Sequence, residues 1–310
     1  MPIPSTIETT FMKQYSPMLY VLAQQKGSKF ISRCWNRPCS GAKEAYFNRL
    51  GDDEAEDMVG RYPTTPSHEQ DHTRRRVAIT GFHTASKLDN LDALQSMINP
   101  QNEYTQNQKR ALGRKADDRI IAAAVGTAYA GEEGTTAVTF ADDSISINGD
   151  GTATSLGTAA TAVGSGSVAD IGLAKVLLMM QIFNDLDVDE DMQKYWACTP
   201  KDVADLLDIT EVGSADYATF KALQAGRMHQ EWAGFSWFWS TRLLKDSTET
   251  AHRNLVWAKQ GIIWANWSDM FTRVSELPDQ SYTIQVYARM VGNAVRLDGN
   301  LVHECMNKVA

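Results

Sequence analysis

At 310 residues the chain is long enough for about two domains, each with its own core, and 43% hydrophobic with 22% charged residues excludes wholesale disorder and a fibrous repeat. A formal net charge of -8 argues against a protein that holds DNA or RNA by broad phosphate neutralisation, which requires a basic stripe. No run approaches the roughly 18 apolar residues of a membrane span, and the start MPIPSTIETTF has neither the basic beginning nor the apolar middle of a secretion signal, so the protein is expected to stay in the cytosol without a membrane partner.

The first 45 residues mix aromatic, polar and Pro positions without a long period and read as an extended arm. Within it, Met12 to Gln24 predicts one short helix with Tyr15, Leu19 and Leu22 on one face, limited by Pro17. Cys34, Cys39, Cys198 and Cys305 lack a CxxC spacing and are expected to be reduced thiols, not a disulfide framework or a zinc knuckle. From Gly51 the chain reads GDDEAED, then YPTTP, then Arg74, Arg75 and Arg76 before the apolar strand Val77 to Thr80. Two opposite charge clusters around Pro63 and Pro66 predict a long two-stranded loop.

Inside that loop, His68, Glu69, Asp71 and His72 carry the i, i+4 histidine spacing of a helical zinc site. The nearby prolines make a poor helix, and three arginines oppose a divalent cation, so a solvated loop is the better reading.

Gln101 to Gly126 predicts an amphipathic helix, with Leu112, Ala116, Ile120, Ala123 and Ala124 at three- and four-residue steps. Asp117 and Asp118, beside Arg114, Lys115 and Arg119, read as its solvated outer face. The Gly-rich stretch from Gly126 to Gly172 contains no GxxxxGK[ST], and Ile145 and Ile147 before Asn148 to Gly151 predict a short strand entering a turn. A buried helix follows from Val168 to Phe183. Asp185, Asp187 and Asp189 imitate a calcium loop, yet Glu190 stands where that loop needs Gly and Trp196 where it needs Glu.

Tyr195 to Cys198 predicts a strand, followed by a helix capped by Thr199 with Pro200 at its first position and Val203, Leu206 and Leu207 on one face. Phe235, Trp237 and Trp239 alternate with Ser236, Phe238 and Ser240, and with few interleaved cations this strand suits a core or a subunit seam better than a nucleic-acid platform. Val256 to Ala265 and Tyr282 to Met290 predict further strands joined through Met270 to Pro278, and the last strand ends near Met306. No GxSxG elbow or singular acid and base pair is present, so no catalytic, metal or cofactor residue is assigned and no enzyme is expected.

Three segments carry a resemblance. Asp216 to Leu243, DYATFKALQAGRMHQEWAGFSWFWSTRL, resembles a motif of tailed-bacteriophage major capsid proteins: Asp216 and Tyr217, a helix turn ending in Ala222 and Leu223, Gly226, then Gly234 and Phe235 opening an aromatic strand. Asp117 to Thr136 and Tyr287 to Val302, two short strands around a turn at Asp298 and Gly299, resemble the same family in the same order. The resemblance implies an α+β subunit of the HK97-like capsid fold. Its parts would be an N-terminal arm (1-45), an extended loop (46-82), a peripheral domain (83-165) with the Gly-rich segment and a spine helix over about 101-126, an axial domain (166-265), and return strands (266-310).

By the same resemblance, subunits would form pentamers and hexamers in an icosahedral shell around double-stranded DNA, held without sequence-specific binding. Scaffolding, portal and decoration proteins would be partners, and assembly would occur in the bacterial host cytoplasm before the protein resides in the virion. The extended loop would lie over a neighbouring subunit, with Asp52, Asp53 and Glu54 facing Arg74, Arg75 and Arg76 across that boundary; as plain solvated charges they would each contribute under about 1 kcal/mol. An acidic wall suits a container through which packed duplex moves. Two other readings stand beside this one: an encapsulin-type cellular compartment of the same fold, and a metal-dependent enzyme using His68 and His72.

Overall fold

The computed structural model describes residues 23-53, 55-62, 65, 67, 69-88, 101-157, 168-208, 231-246 and 249-309. Most of the short helix expected from Met12, together with Glu54, His68 and the Asp216 to Gln230 part of the motif, lies outside these residues.

In chain order, β1 (Trp35–Pro38) precedes β2 (Glu44–Leu50) and β3 (His72–Ala78), which pair antiparallel from Glu44 opposite Ala78 to Leu50 opposite His72. β4 (Gly81–Leu88) and the 25-residue α1 (Gln101–Val125) follow. The glycine-rich stretch then folds into β5 (Ala128–Ala130), β6 (Thr136–Val138), the one-turn α2 (Phe140–Asp143) and β7 (Ser146–Ile147). Next come α3 (Leu173–Asp185), β8 (Lys194–Cys198), α4 (Pro200–Asp208), β9 (Glu231–Trp232), β10 (Phe235–Trp239) and β11 (Ala251–Ala258). β12 (Ile262–Leu277), β13 (Thr283–Arg296) and β14 (Val302–Lys308) complete the chain.

Three sheets result, ordered β1-β12-β13-β4, β7-β14-β11-β8-β10-β9 and β2-β3-β5-β6. The expected two-stranded loop is therefore the β2-β3 pair, and the β5-β6 hairpin widens its root into a sheet. Two expectations change. The apolar run Val256 to Ala265 is not one strand: Gly261 N–H donates to Ala258 O at 2.8 Å, closing a turn that carries the chain from the six-stranded sheet into the four-stranded one. Met270 to Leu277 is not a connection but the outer half of β12, whose hairpin with β13 turns over a 3₁₀ turn at Pro278–Gln280.

α1 buries Leu112, Ala116, Ile120, Ile121 and Ala124 in a core with Phe30, Trp257, Trp264, Ala288 and Met290. Burying a large apolar side chain is worth about 1.5–3 kcal/mol, so this face fixes the helix on the sheets. A second core places Val176, Met179 and Phe183 of α3 against Trp196, Phe235 and Trp237, with the two indoles stacked at 4.5 Å. The aromatic strand β10 is covered on both faces, because Phe238 points the other way, 5.0 Å from Phe30. Trp239, at the end of the strand, is exposed, with Lys29 Nζ 3.5 Å from its ring centroid.

Candidate functional site

The β2-β3 loop is the part of the fold that projects chemistry outward, and its root is built around one carboxylate. Alternation along β3 sends successive side chains to opposite faces, so Arg75 turns inward while Arg74 stays exposed. Only 4% exposed, Arg75 donates from Nη2 to Asp143 Oδ2 at 2.6 Å and from Nε to Leu297 O at 3.3 Å. The other oxygen of Asp143 accepts from Arg296 Nε at 3.0 Å.

Arg296 is fully buried, and its guanidinium completes the end of α1. Nη1 donates to Ala124 O at 2.7 Å and to Gly126 O at 2.9 Å, and Nη2 to Thr139 O at 3.0 Å. The Ala124 and Gly126 carbonyls lie at the C-terminal end of α1, where the last carbonyls have no partner within the helix, and a cation there also answers the helix dipole. The ring of Phe140 lies 5.1 Å from the same guanidinium. Burial pulls both arginines below the usual arginine range and Asp143 opposes that shift; both groups stay charged, as arginine does in proteins.

Of the charged residues expected at a boundary between subunits, Asp52, Asp53, Arg74, Arg75 and Arg76 are described, and they differ in exposure. Arg75 lies inside its own subunit, and Arg76 pairs with Glu44 at 3.5 Å beneath the ring of Tyr129. Asp52 and Asp53 are exposed, Asp53 accepting from Gln70 at 2.9 Å. Beyond them the loop presents Met58 and Val59, each 83% exposed, and Tyr62, 90% exposed.

Asp117 corrects a second expectation. Instead of facing solvent it is fully buried, and its carboxylate accepts the backbone N–H of Lys29 at 3.1 Å and of Phe30 at 3.2 Å. It also accepts from Ser28 Oγ and Gln25 Nε2. Gly113, one turn earlier, lets this segment cross, since a Cβ there would meet Ser28 N at 2.7 Å. Asp118 does stay at the surface, in a bidentate pair with Arg242.

His72 is the first residue of β3, an extended strand, so the helical geometry that would let histidines at i and i+4 converge does not hold there. Among the described residues no group of three or more His, Cys, Asp or Glu is placed to hold a metal. The expected Thr199 cap of α4 forms, Asp202 N–H donating to Thr199 Oγ1 at 3.3 Å, and the Asp202 carboxylate adds to it by accepting from Thr199 N–H at 2.7 Å and Thr199 Oγ1 at 2.6 Å.

Sequence reasoning passed over Asp143 and Arg296, although one signal was available for Arg296. Val286, Ala288, Met290, Gly292 and Ala294 are all buried, and Arg296 occupies the next position of that period-two series. An arginine in the register of a buried face needs internal acceptors.

The family model described as phage capsid protein matches residues 7–308. The chain belongs to the phage capsid protein family. Solved structures agree in fold. The capsid of Ralstonia phage GP4 superposes with a TM-score of 0.74 at 10% identity, covering 100% of this chain and 98% of that one. The capsid of cyanophage P-SCSP1u gives 0.72 at 17% identity, covering 99% and 96%, and that of cyanophage Pam1 gives 0.67 at 12%, covering 100% of both. No curated protein matches the sequence. The α+β architecture is thus that of phage capsids, and among the readings the sequence left open the family match selects the phage capsid subunit.

Proposed function

We propose that this phage capsid protein self-assembles as pentamers and hexamers into the icosahedral shell that encloses the double-stranded DNA of a tailed bacteriophage. The carrying observation is the β2-β3 loop: its root is held by Arg75, Asp143 and Arg296, while Met58, Val59 and Tyr62 stand in solvent at its far end. A rigidly based element with an apolar end serves to be covered by another molecule. In a closed lattice the covering molecule is the next subunit, and the same small contact repeats around every ring.

On this reading the protein works through its surfaces and has no catalytic role. Residues 1-45 form the arm, 46-82 the extended loop, 83-165 the peripheral domain, 166-265 the axial domain and 266-310 the return strands. Asp52, Asp53, Glu54 and Arg74 remain contact residues of the loop, whereas Arg75 and Arg76 belong to its root. The charge of -8 supports loose, sequence-independent containment of duplex DNA. Scaffolding, portal and decoration proteins complete the particle, and assembly takes place in the host cytoplasm.

Negative-stain electron microscopy of the purified chain, with its mass distribution in solution, tests the proposal. Hollow shells or rings of five and six are expected; a monomer or dimer that persists at every salt and protein concentration would overturn it.

A further inference from the structure

The sequence sets Asp117 and Asp118 among Arg114, Lys115 and Arg119 on α1, where charges of opposite sign would answer one another. The fold takes both carboxylates away. Asp117 is buried under the segment before β1, and Asp118 is held by Arg242. The helix neighbours of Arg119 three and four residues away are Lys115, Ala116, Ala122 and Ala123, none of which carries negative charge. Among the described residues Arg119 has no ion pair, and its Nε is buried without a hydrogen-bond partner. A charged donor buried in this way is unfavourable until an acceptor reaches it.

Arg119 lines a cavity of about 280 Å³ between α1, β3, β5 and β13, together with Arg76, Val77, Ala123, Tyr129 and Asn293. That is several times the roughly 30 Å³ that a water molecule occupies in the liquid. Arg76 adds a second guanidinium, 5.4 Å from the Tyr129 ring, and its stem lies so close to Gly134 that a Cβ there would meet Arg76 Cδ at 2.5 Å. No Asp or Glu lines the cavity; Glu44, 3.5 Å from Arg76, stands outside it. The amide of Asn293 is occupied, with Nδ2 donating to Ala78 O at 3.0 Å and Oδ1 accepting from Ala294 N–H at 3.0 Å. The cavity therefore presents two guanidinium groups with neither a carboxylate nor an open amide to accept from them.

Guanidinium groups match phosphate in pairs, two parallel N–H donors meeting two oxygens. We infer that this cavity binds a phosphate group, which accepts from Nε and one Nη of Arg119 and is closed in by Arg76. Arg76 belongs to β3 and Arg119 to α1, so a bound phosphate bridges the loop root and the helix. Side chains alternate along β3, and this bridge lies on the face opposite Arg75 and Asp143. The backbone of duplex DNA and free inorganic phosphate share the required chemistry. Only the first of these sources rests on the shell reading above.

The test uses the unassembled full-length subunit. Calorimetric titration with inorganic phosphate should show a single saturable site, and Arg119→Gln should weaken it by about tenfold or more. Arg119→Lys keeps the charge without the paired donors and should recover only part of the affinity. Lys115→Gln, on the same helix but outside the cavity, should leave binding unchanged. Circular dichroism checks that each variant is folded.

Fluorescence anisotropy of a labelled DNA duplex separates the two sources. Weaker duplex binding by Arg119→Gln, with a salt dependence shallower by about one counterion, assigns the phosphate to DNA. Lost phosphate binding with unchanged duplex binding assigns it to free phosphate. Either result supports the site. It is overturned if neither ligand responds to Arg119→Gln, or if Lys115→Gln weakens binding equally, which would report a diffuse basic surface. Failure of the unmodified chain to form shells would overturn the shell reading and leave the phosphate site standing.

Discussion

Arg75 Nη2 and Asp143 Oδ2 lie 2.6 Å apart, and this pair joins the root of the extended loop to the end of the spine helix α1. Asp143 makes the connection because its second oxygen holds Arg296, which in turn binds Ala124 O and Gly126 O. A movement of the loop root is therefore resisted by the helix, whose own position is set by its buried apolar face.

Asp143→Asn tests that linkage. Two arginines of low exposure would lose their shared counter-charge, and removing one partner of a buried pair costs about 3–5 kcal/mol. Denaturant unfolding of the unassembled subunit should show a loss of that order. A change below about 1 kcal/mol would mean that backbone carbonyls alone hold Arg296.

Gly299→Ala approaches the same carboxylate residue from another direction. A Cβ at position 299 would lie 1.8 Å from Asp143 O, a backbone atom that cannot move without displacing α2. Overpacking of this kind costs about 1–3 kcal/mol or more, and hydrogen exchange of residues 140–147 should accelerate in the variant. Unchanged exchange there would show that the turn at Asp298 adapts by itself.

Asp117→Ala should free the segment before β1. The backbone N–H groups of Lys29 and Phe30 would lose their acceptor inside the protein, at a cost of about 1–3 kcal/mol for each unsatisfied group. Limited proteolysis should then cut near residues 25–33 well before the rest of the chain. Equal resistance in both proteins would count against Asp117 as the anchor of this segment.

His303 sets an acid limit. Its Nδ1 accepts from Ile145 N–H at 3.2 Å and its Nε2 lies 2.9 Å from Asn300 O, a pattern met by the neutral ring with the proton on Nε2. Burial lowers its pKa from 6.5 to about 4. The unfolded chain takes up this proton near pH 6.5 and the folded chain only near pH 4. Stability contributed by the neutral ring is thus present above pH 6.5 and is lost as pH falls toward 4, by on the order of 3 kcal/mol at about 1.4 kcal/mol per pH unit. His303→Gln, which keeps an acceptor and a donor, should flatten the slope of unfolding free energy between pH 6.5 and 4; an unaltered slope would place the acid sensitivity elsewhere.

The sequence by itself determined the elements whose signal is local. The spine helix follows from apolar residues at three- and four-residue steps and ends one residue before the expected Gly126. The β2-β3 loop follows from turn residues between two strands, and the cap of α4 from Thr199 and Pro200. Only the tertiary structure decided where charge is buried. Arg75 finds Asp143 across 68 residues and Arg296 finds it across 153, while Asp117 holds backbone 87 and 88 residues away. The split of Val256 to Ala265 was likewise invisible, because an apolar run reads alike whether it lies in one sheet or crosses between two. Periodicity reports which face of an element is apolar. Whether a charged residue beside that face meets water or a buried partner depends on a distant segment, and that partner is supplied only by the folded chain.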